Sequence, residues 1–189
     1  GGGPGQPLRR GLAEYGGGVA LASLAHATVV NNHAAQSGGG VYRGMVSNSI
    51  LYFNTAGVSW SNYFNSICRF SCTTPAPQSI GNVTADPRFV DAANGVFRLL
   101  RDSPAVDSAV ASELAVDLLG VPRPLPVLQE GVPAPAMGAY EYTAAHYVAL
   151  AVRLLGPAAL ERFPGVDTRS PVDLVSNGPG PVQANLSSR

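Results

Sequence analysis

The chain has 189 residues and a net charge of zero, with 12 arginines, 12 acids and no lysine. Without an ammonium group it is neither a Schiff-base enzyme nor a P-loop NTPase, and without a basic surplus it is no dedicated nucleic-acid binder. Its 22 glycines and 16 prolines, with 13% charged residues against an ordinary content of about 25%, favour an all-β or repeat architecture over a helical one.

The opening run GGGPGQPLRR carries no charged-then-apolar leader. It reads as a chain cut inside a glycine-rich repeat, with a flexible linker as the rival reading.

Gly16-Gly17-Gly18-Val19 recurs as Gly38-Gly39-Gly40-Val41, an offset of 22 residues. In that register Asn32 falls on Asn54, Ala34 on Ala56 and Ser37 on Ser59, so seven of 22 positions are identical. Chance would give about one or two. Val29 meets Leu51 as a core column, and Ala27 meets Ser49 as a column of small residues. The leucine-rich pattern is absent, and short β-rich runs, Thr28-Val29-Val30 and Ile50-Leu51-Tyr52-Phe53, lie between the glycines. The unit therefore reads as one coil of a parallel β-helix with three strands and three bends. In such a stack Asn32 and Asn54 lie one above the other and exchange amide hydrogen bonds in a ladder; the alternative is that each caps its own turn. An ordinary β-sandwich with an accidental repeat is the competing fold.

The third unit is degenerate. Ser66 to Cys72 alternates, with Cys68, Phe70 and Cys72 on one face. On one extended strand two thiols four residues apart cannot bridge, and a CxxxC pair without histidine is a poor metal site, so both read as buried free thiols. Thr73–Gln78 is a loop, Val83-Thr84 the next short strand, and Asp86-Pro87 and Asp91–Gly95 are turns.

Several stretches carry a resemblance: NSILYFNTA (48–56), SCTTPAP (71–77), GNVTADPRFVDAANGVFRLLRDSPAVDSA (81–109), DLLGVPRPL (117–125) and MGAYEY (137–142). The chain from about Gly16 to Tyr142 resembles the C-terminal region of bacterial right-handed parallel β-helix repeat proteins, often described as a choice-of-anchor domain of the Q type. The resemblance implies right-handed coils, a secreted or cell-surface protein, and a polysaccharide or cell-envelope component as partner. Members usually carry an acidic and a polar residue where this chain has Leu119 and Val121, which puts a tight polar turn or cation at 117–123 in doubt. The expected organisation is β-helix coils over 1–84, an irregular cap over 85–142, and a tail over 143–189 that is partly helical to Phe163 and disordered beyond Pro164. In the cap, Phe97–Leu99 and Ala105-Val106 would cover the open end of the last coil, and Met137–Tyr142 would be a last strand. The apolar run 144–155 is too short to span a membrane, and the protein is expected to be monomeric.

Catalytic chemistry is hard to find. Residues 16–59 contain no acid at all, whereas a lyase of the β-helix type needs several carboxylates for calcium and a base. Asp86 and Asp91 with Asn94 are a conceivable calcium set, against turn-capping carboxylates as the plainer reading. Glu113 and Asp117 suggest a solvated surface pair, and His26 and His33 stacked or turn residues, with no G-x-S-x-G elbow. Carbohydrate contact is the softer reading, on Tyr42, Arg43, Tyr52, Trp60 and Tyr63, whose aromatic faces and guanidinium suit sugar rings and acidic glycans. No catalytic residue, metal ligand or cofactor is assigned. The sequence thus points to a non-catalytic scaffold, adhesin or glycan-contact surface, or to a fragment of a polysaccharide lyase or glycoside hydrolase whose active coils lie upstream.

Overall fold

The computed structural model describes residues 13–124 and 134–143. The chain divides after Glu141 into two units, and every strand lies in the first. The expectations for residues 1–12, for the helical stretch after Ala144 and for the tail fall outside the described residues.

The described chain is all-β, with short parallel strands in stacked sheets and no α-helix. The first layer holds β1 (Val19–Ala20), β2 (Ser23–Ala25), β3 (Thr28–Val30) and β4 (His33–Ala34). The second holds β5 (Val41–Tyr42), β6 (Met45–Ser47), β7 (Ile50–Tyr52) and β8 (Thr55–Ala56). The third holds β9 (Tyr63–Phe64), β10 (Ile67–Arg69) and β11 (Cys72–Thr73). They form sheets β1-β5-β9, β2-β6-β10, β3-β7-β11 and β4-β8, all parallel. Partners are 22 residues apart throughout, as in Val19 on Val41 and Val41 on Tyr63. This arrangement is compatible with a β-helix, and it corrects the expectation of three strands per unit: a complete layer has four.

The fourth strand exists because the chain bends every five residues. Gly16, Leu21, His26 and Asn31 have positive φ, and so do Gly38, Arg43, Asn48 and Phe53, then Trp60, Asn65 and Phe70. One left-handed residue reverses the local curl of an extended chain, and asparagine tolerates that conformation best among residues with a Cβ. The bend at Phe70 breaks the alternating run from Ser66 to Cys72, so Cys68 and Cys72 sit on different strands, not on one face of one strand. Both are free and buried, and burial pushes both thiols up to about 12, with the Asp86 charge adding to the shift at Cys72.

Inward residues follow the same spacing. Val19, Leu24 and Val29 lie beneath Val41, Val46 and Leu51, and then Tyr63, Cys68 and Thr73. All of these except Thr73, together with Ala27, form the core. Beside several bends a backbone N–H has turned away from the carbonyl ladder, and a side chain one layer on accepts it. Ala27 N–H donates to Ser49 Oγ, Gly44 N–H to Ser66 Oγ and Ser49 N–H to Ser71 Oγ, at 3.0–3.2 Å. Each of these hydroxyls donates in turn to the carbonyl two residues before it. The small-residue column is therefore a set of clamps that satisfies buried backbone donors.

The third layer ends differently. Its β11 edge is taken by residues 80–83: Phe70 N–H donates to the Ile80 carbonyl, Thr73 N–H to that of Val83, and Val83 N–H to that of Ser71. The Asn82 amide oxygen accepts from Ser71 N–H, ending the hydroxyl column. The segments expected to cover that edge make the following contacts. Strand β13 (Val96–Leu99) pairs antiparallel with β12 (Phe89–Asp91) across a 3-10 turn at Ala92–Asn94, and Ala105 accepts from Met137 N–H. Residues 137–142 form no strand. Instead Gly138 N–H donates to the Asn48 carbonyl and Ala139 N–H to Thr28 Oγ1, so this segment docks on the side of the layers.

Candidate functional site

Two clusters of chemistry-bearing side chains stand out, one sealed and one open. The sealed cluster surrounds His26, a bend residue only 6% exposed. Its Nε2 meets Ser112 Oγ and the Asn48 amide nitrogen, each at 3.0 Å, and its Nδ1 lies 3.0 Å from Arg123 Nη1. Arg123 is also ion-paired with Glu141, both side chains almost fully buried, and donates to the carbonyls of Ala136 and Gly138. Burial and the neighbouring guanidinium hold His26 well below its ordinary range, at about 4, so the imidazole is neutral at pH 7. Burial also pulls Arg123 down, opposed by the Glu141 and Asp117 carboxylates.

The open cleft beside Trp60 is lined by other residues. The cluster joins the segments around 110, 123 and 138 to the bends at His26 and Asn48. Asp117 belongs to the same structure. It is buried, its Oδ1 accepts from Leu119 and Val121 N–H at 2.7 and 2.9 Å, and its Oδ2 accepts from Glu141 N–H. The tight turn at 117–121 thus forms without the acidic and polar residues the resemblance would have there, because backbone groups supply the donors. Asp117 is therefore not half of a solvated pair with Glu113, which is exposed.

The acids of the first turns are spent locally. Asp86 Oδ1 accepts from Arg88 N–H, and Asp91 caps the 3-10 turn through Asn94 N–H and the Asn94 amide. Among the described residues no group of three or more His, Cys, Asp or Glu is placed to hold a metal ion.

The open cluster lies on the sheet β1-β5-β9. Tyr42 and Phe64 occupy successive layers with rings 6.0 Å apart, and Tyr15 stacks on the other face of Tyr42 at 4.8 Å. Arg43 rests its guanidinium 5.2 Å from the Tyr42 ring centre. Trp60 adjoins Phe64 and Tyr63, each at 6.3 Å between ring centres. Tyr42, Arg43, Trp60 and Tyr63 are thus neighbours, and Tyr52 is not: it lies on β7 against Phe53, with its hydroxyl toward the Thr84 carbonyl. Tyr63 points into the core at 7% exposure and donates its hydroxyl to the Pro75 carbonyl, and burial raises its pKa. It offers no ring face to a ligand. Both faces of Tyr42 are covered.

That leaves Trp60, 47% exposed, beside an open cleft of about 380 Å3 lined by Ser59, Trp60, Ser61, Asn62, Thr74 and Pro75. Its backbone is informative. Trp60 stands one layer above Gly38 and two above Gly16 and shares their left-handed φ, 57° against 67° and 65°. Glycine adopts this conformation freely, whereas a bulky residue is strained in it by about 1–3 kcal/mol. The indole packs against Phe64 and Tyr63 and leaves about half of its surface open to the cleft.

The Asn32 and Asn54 side chains meet directly, Asn32 Nδ2 donating to Asn54 Oδ1 at 3.1 Å, and Asn32 N–H reaches the same oxygen. Asn54 N–H and Nδ2 both donate to Asn62 Oδ1, and Asn62 Nδ2 donates to the carbonyl and hydroxyl of Thr74. Asn62 escaped the sequence reading because it is out of register: it follows Gly18 and Gly40 in its column, while position 76 lies in the proline loop. The signal for Trp60 was present, since adding 22 twice to Gly16 lands on it.

Compared with known proteins, the chain matches no family model, no curated sequence and no solved structure. Among the described residues no helix is long and apolar enough to cross a membrane.

Proposed function

We propose that this chain is the C-terminal part of a secreted or cell-surface right-handed parallel β-helix protein, a non-catalytic scaffold that contacts glycans at the Trp60 cleft. The observation that carries this reading is Trp60 itself: a strained, exposed indole over an open, hydroxyl-lined cleft. Aromatic faces bind the apolar faces of sugar rings while hydroxyls exchange hydrogen bonds with ring substituents. The stretches that resemble β-helix repeat proteins of the choice-of-anchor type support the coil handedness and the location. The sealed state of His26, Arg123, Glu141 and Asp117 supports a structural role for the charged residues.

The test uses the fluorescence of Trp60, the sole tryptophan. The full chain is titrated with a panel of oligosaccharides, and the same mixtures are followed for new reducing ends and for unsaturated-product absorbance. Saturable change in Trp60 emission without product is the expected result. Product formation by this chain would replace the scaffold with the polysaccharide lyase or glycoside hydrolase reading. A panel that leaves Trp60 untouched would remove the glycan contact.

A further inference from the structure

The Trp60 cleft lies where a hydrogen-bond ladder stops. In the first layer Gly18 and Val19 N–H donate to the carbonyls of Gly39 and Gly40 in the second. In the second, Gly40 and Val41 N–H donate likewise to Ser61 and Asn62 in the third. The next members of that series are Asn62 and Tyr63 N–H, and β9 is the edge strand of its sheet. No acceptor serves either group among the described residues. On the side toward which they point, the neighbours are Thr74 and Pro75, which face Ser59–Asn62 across the cleft. Both residues are largely buried, and a backbone donor withdrawn from water without an acceptor is costly.

The remaining polar groups sharpen the chemistry. The Asn62 side chain is fully occupied, both amide hydrogens on Thr74 and its oxygen on Asn54. Ser61 and Thr74 contribute hydroxyls. Among the described residues no charged side chain lines the cleft, and Arg43 rests over the Tyr42 ring instead.

We infer that the cleft takes an uncharged sugar ring, with one face on Trp60 and a hydroxyl oxygen accepting from the backbone N–H of Asn62. This rests on the glycan-contact reading and narrows it from glycans in general to neutral ones. A uronate or sulfated sugar would bring a charge to a site with no countercharge, and would lose its hydration without compensation.

The experiment compares neutral oligosaccharides with uronic-acid oligosaccharides of equal length, by Trp60 fluorescence and by calorimetry, at low and high salt. The expected result is saturable binding of a neutral series, unchanged by salt because no charge pair is screened. Trp60→Gly is the matched variant, since glycine suits the left-handed backbone and keeps the fold. By calorimetry it is expected to weaken binding by about tenfold or more, the size of one aromatic contact. Binding of uronic-acid sugars alone, lost at high salt, would overturn the neutral-sugar inference and leave glycan contact standing. Binding of neither series would overturn both. Neutral binding that survives Trp60→Gly unchanged would move the site away from this cleft.

Discussion

The layers and the C-terminal segment are both held by buried polar contacts, but on opposite plans. In residues 15–73 most contacts between layers join positions 21–23 apart, so one device is used again and again: a left-handed bend, a clamped N–H, an inward apolar residue. From residue 105 onward the contacts to the layers are each unique and span a long stretch of sequence, such as His26 with Arg123 or Thr28 with Ala139. A repeated structure tolerates the loss of one member because its neighbours keep theirs. A single-copy junction has no such reserve, and the two regions should fail differently.

The largest effect is expected at the junction. Glu141→Gln leaves the buried Arg123 guanidinium without its carboxylate, which costs about 3–5 kcal/mol. Hydrogen exchange should show residues 105–123 and 134–141 losing protection while β5–β7 keep theirs. Equal loss in both regions would mean that the segment and the layers unfold as one body.

Acid should act on the same junction. His26 has a folded pKa of about 4 against an ordinary 6.5, so the unfolded chain takes up the proton first. Its contribution is therefore complete above about pH 6.5 and is lost as pH falls toward 4. The full difference is about 3 kcal/mol by linkage. Chemical denaturation at pH 7.5 and pH 4 should reveal it. His26→Asn, which cannot titrate there, should flatten that part of the profile.

Within the layers the effects are smaller. Ser49→Ala removes the acceptor for Ala27 N–H and the donor to the Ser47 carbonyl, both at a fully buried site. The expected cost is about 1–3 kcal/mol, read as a shift in denaturation midpoint with protection lost mainly around Ala27. Smallest, and opposite in sign, is Leu21→Gly. Leu21 is 75% exposed at φ 54°, so it contributes strain and little packing. Glycine there should stabilise the fold by about 1 kcal/mol, and a destabilised variant would show that Leu21 is covered by something in solution.

The repeat was legible from residues alone because a stack forces identical environments onto positions 22 apart. Val29 over Leu51 and Asn32 over Asn54 could be paired without coordinates. The number of strands per layer was not legible. Glycine triplets and asparagines advertise some bends, but Leu21, Arg43, Phe53 and Phe70 occupy left-handed positions for which their side chains give no warning. The five-residue spacing shows only once φ is known.

The site was harder still. An aromatic count in the second and third units found Tyr42, Trp60 and Tyr63 together, yet it could not tell an inward ring from an outward one on two-residue strands. Composition and spacing determined that this chain stacks short parallel strands with a 22-residue period and places no acid in residues 16–59. Tertiary structure alone decided that Tyr63 is core, that Asn62 completes the asparagine series, and that Arg123 and Glu141 meet at His26. Local spacing carries contacts that recur with the repeat, whereas contacts made once between distant segments leave no period to read.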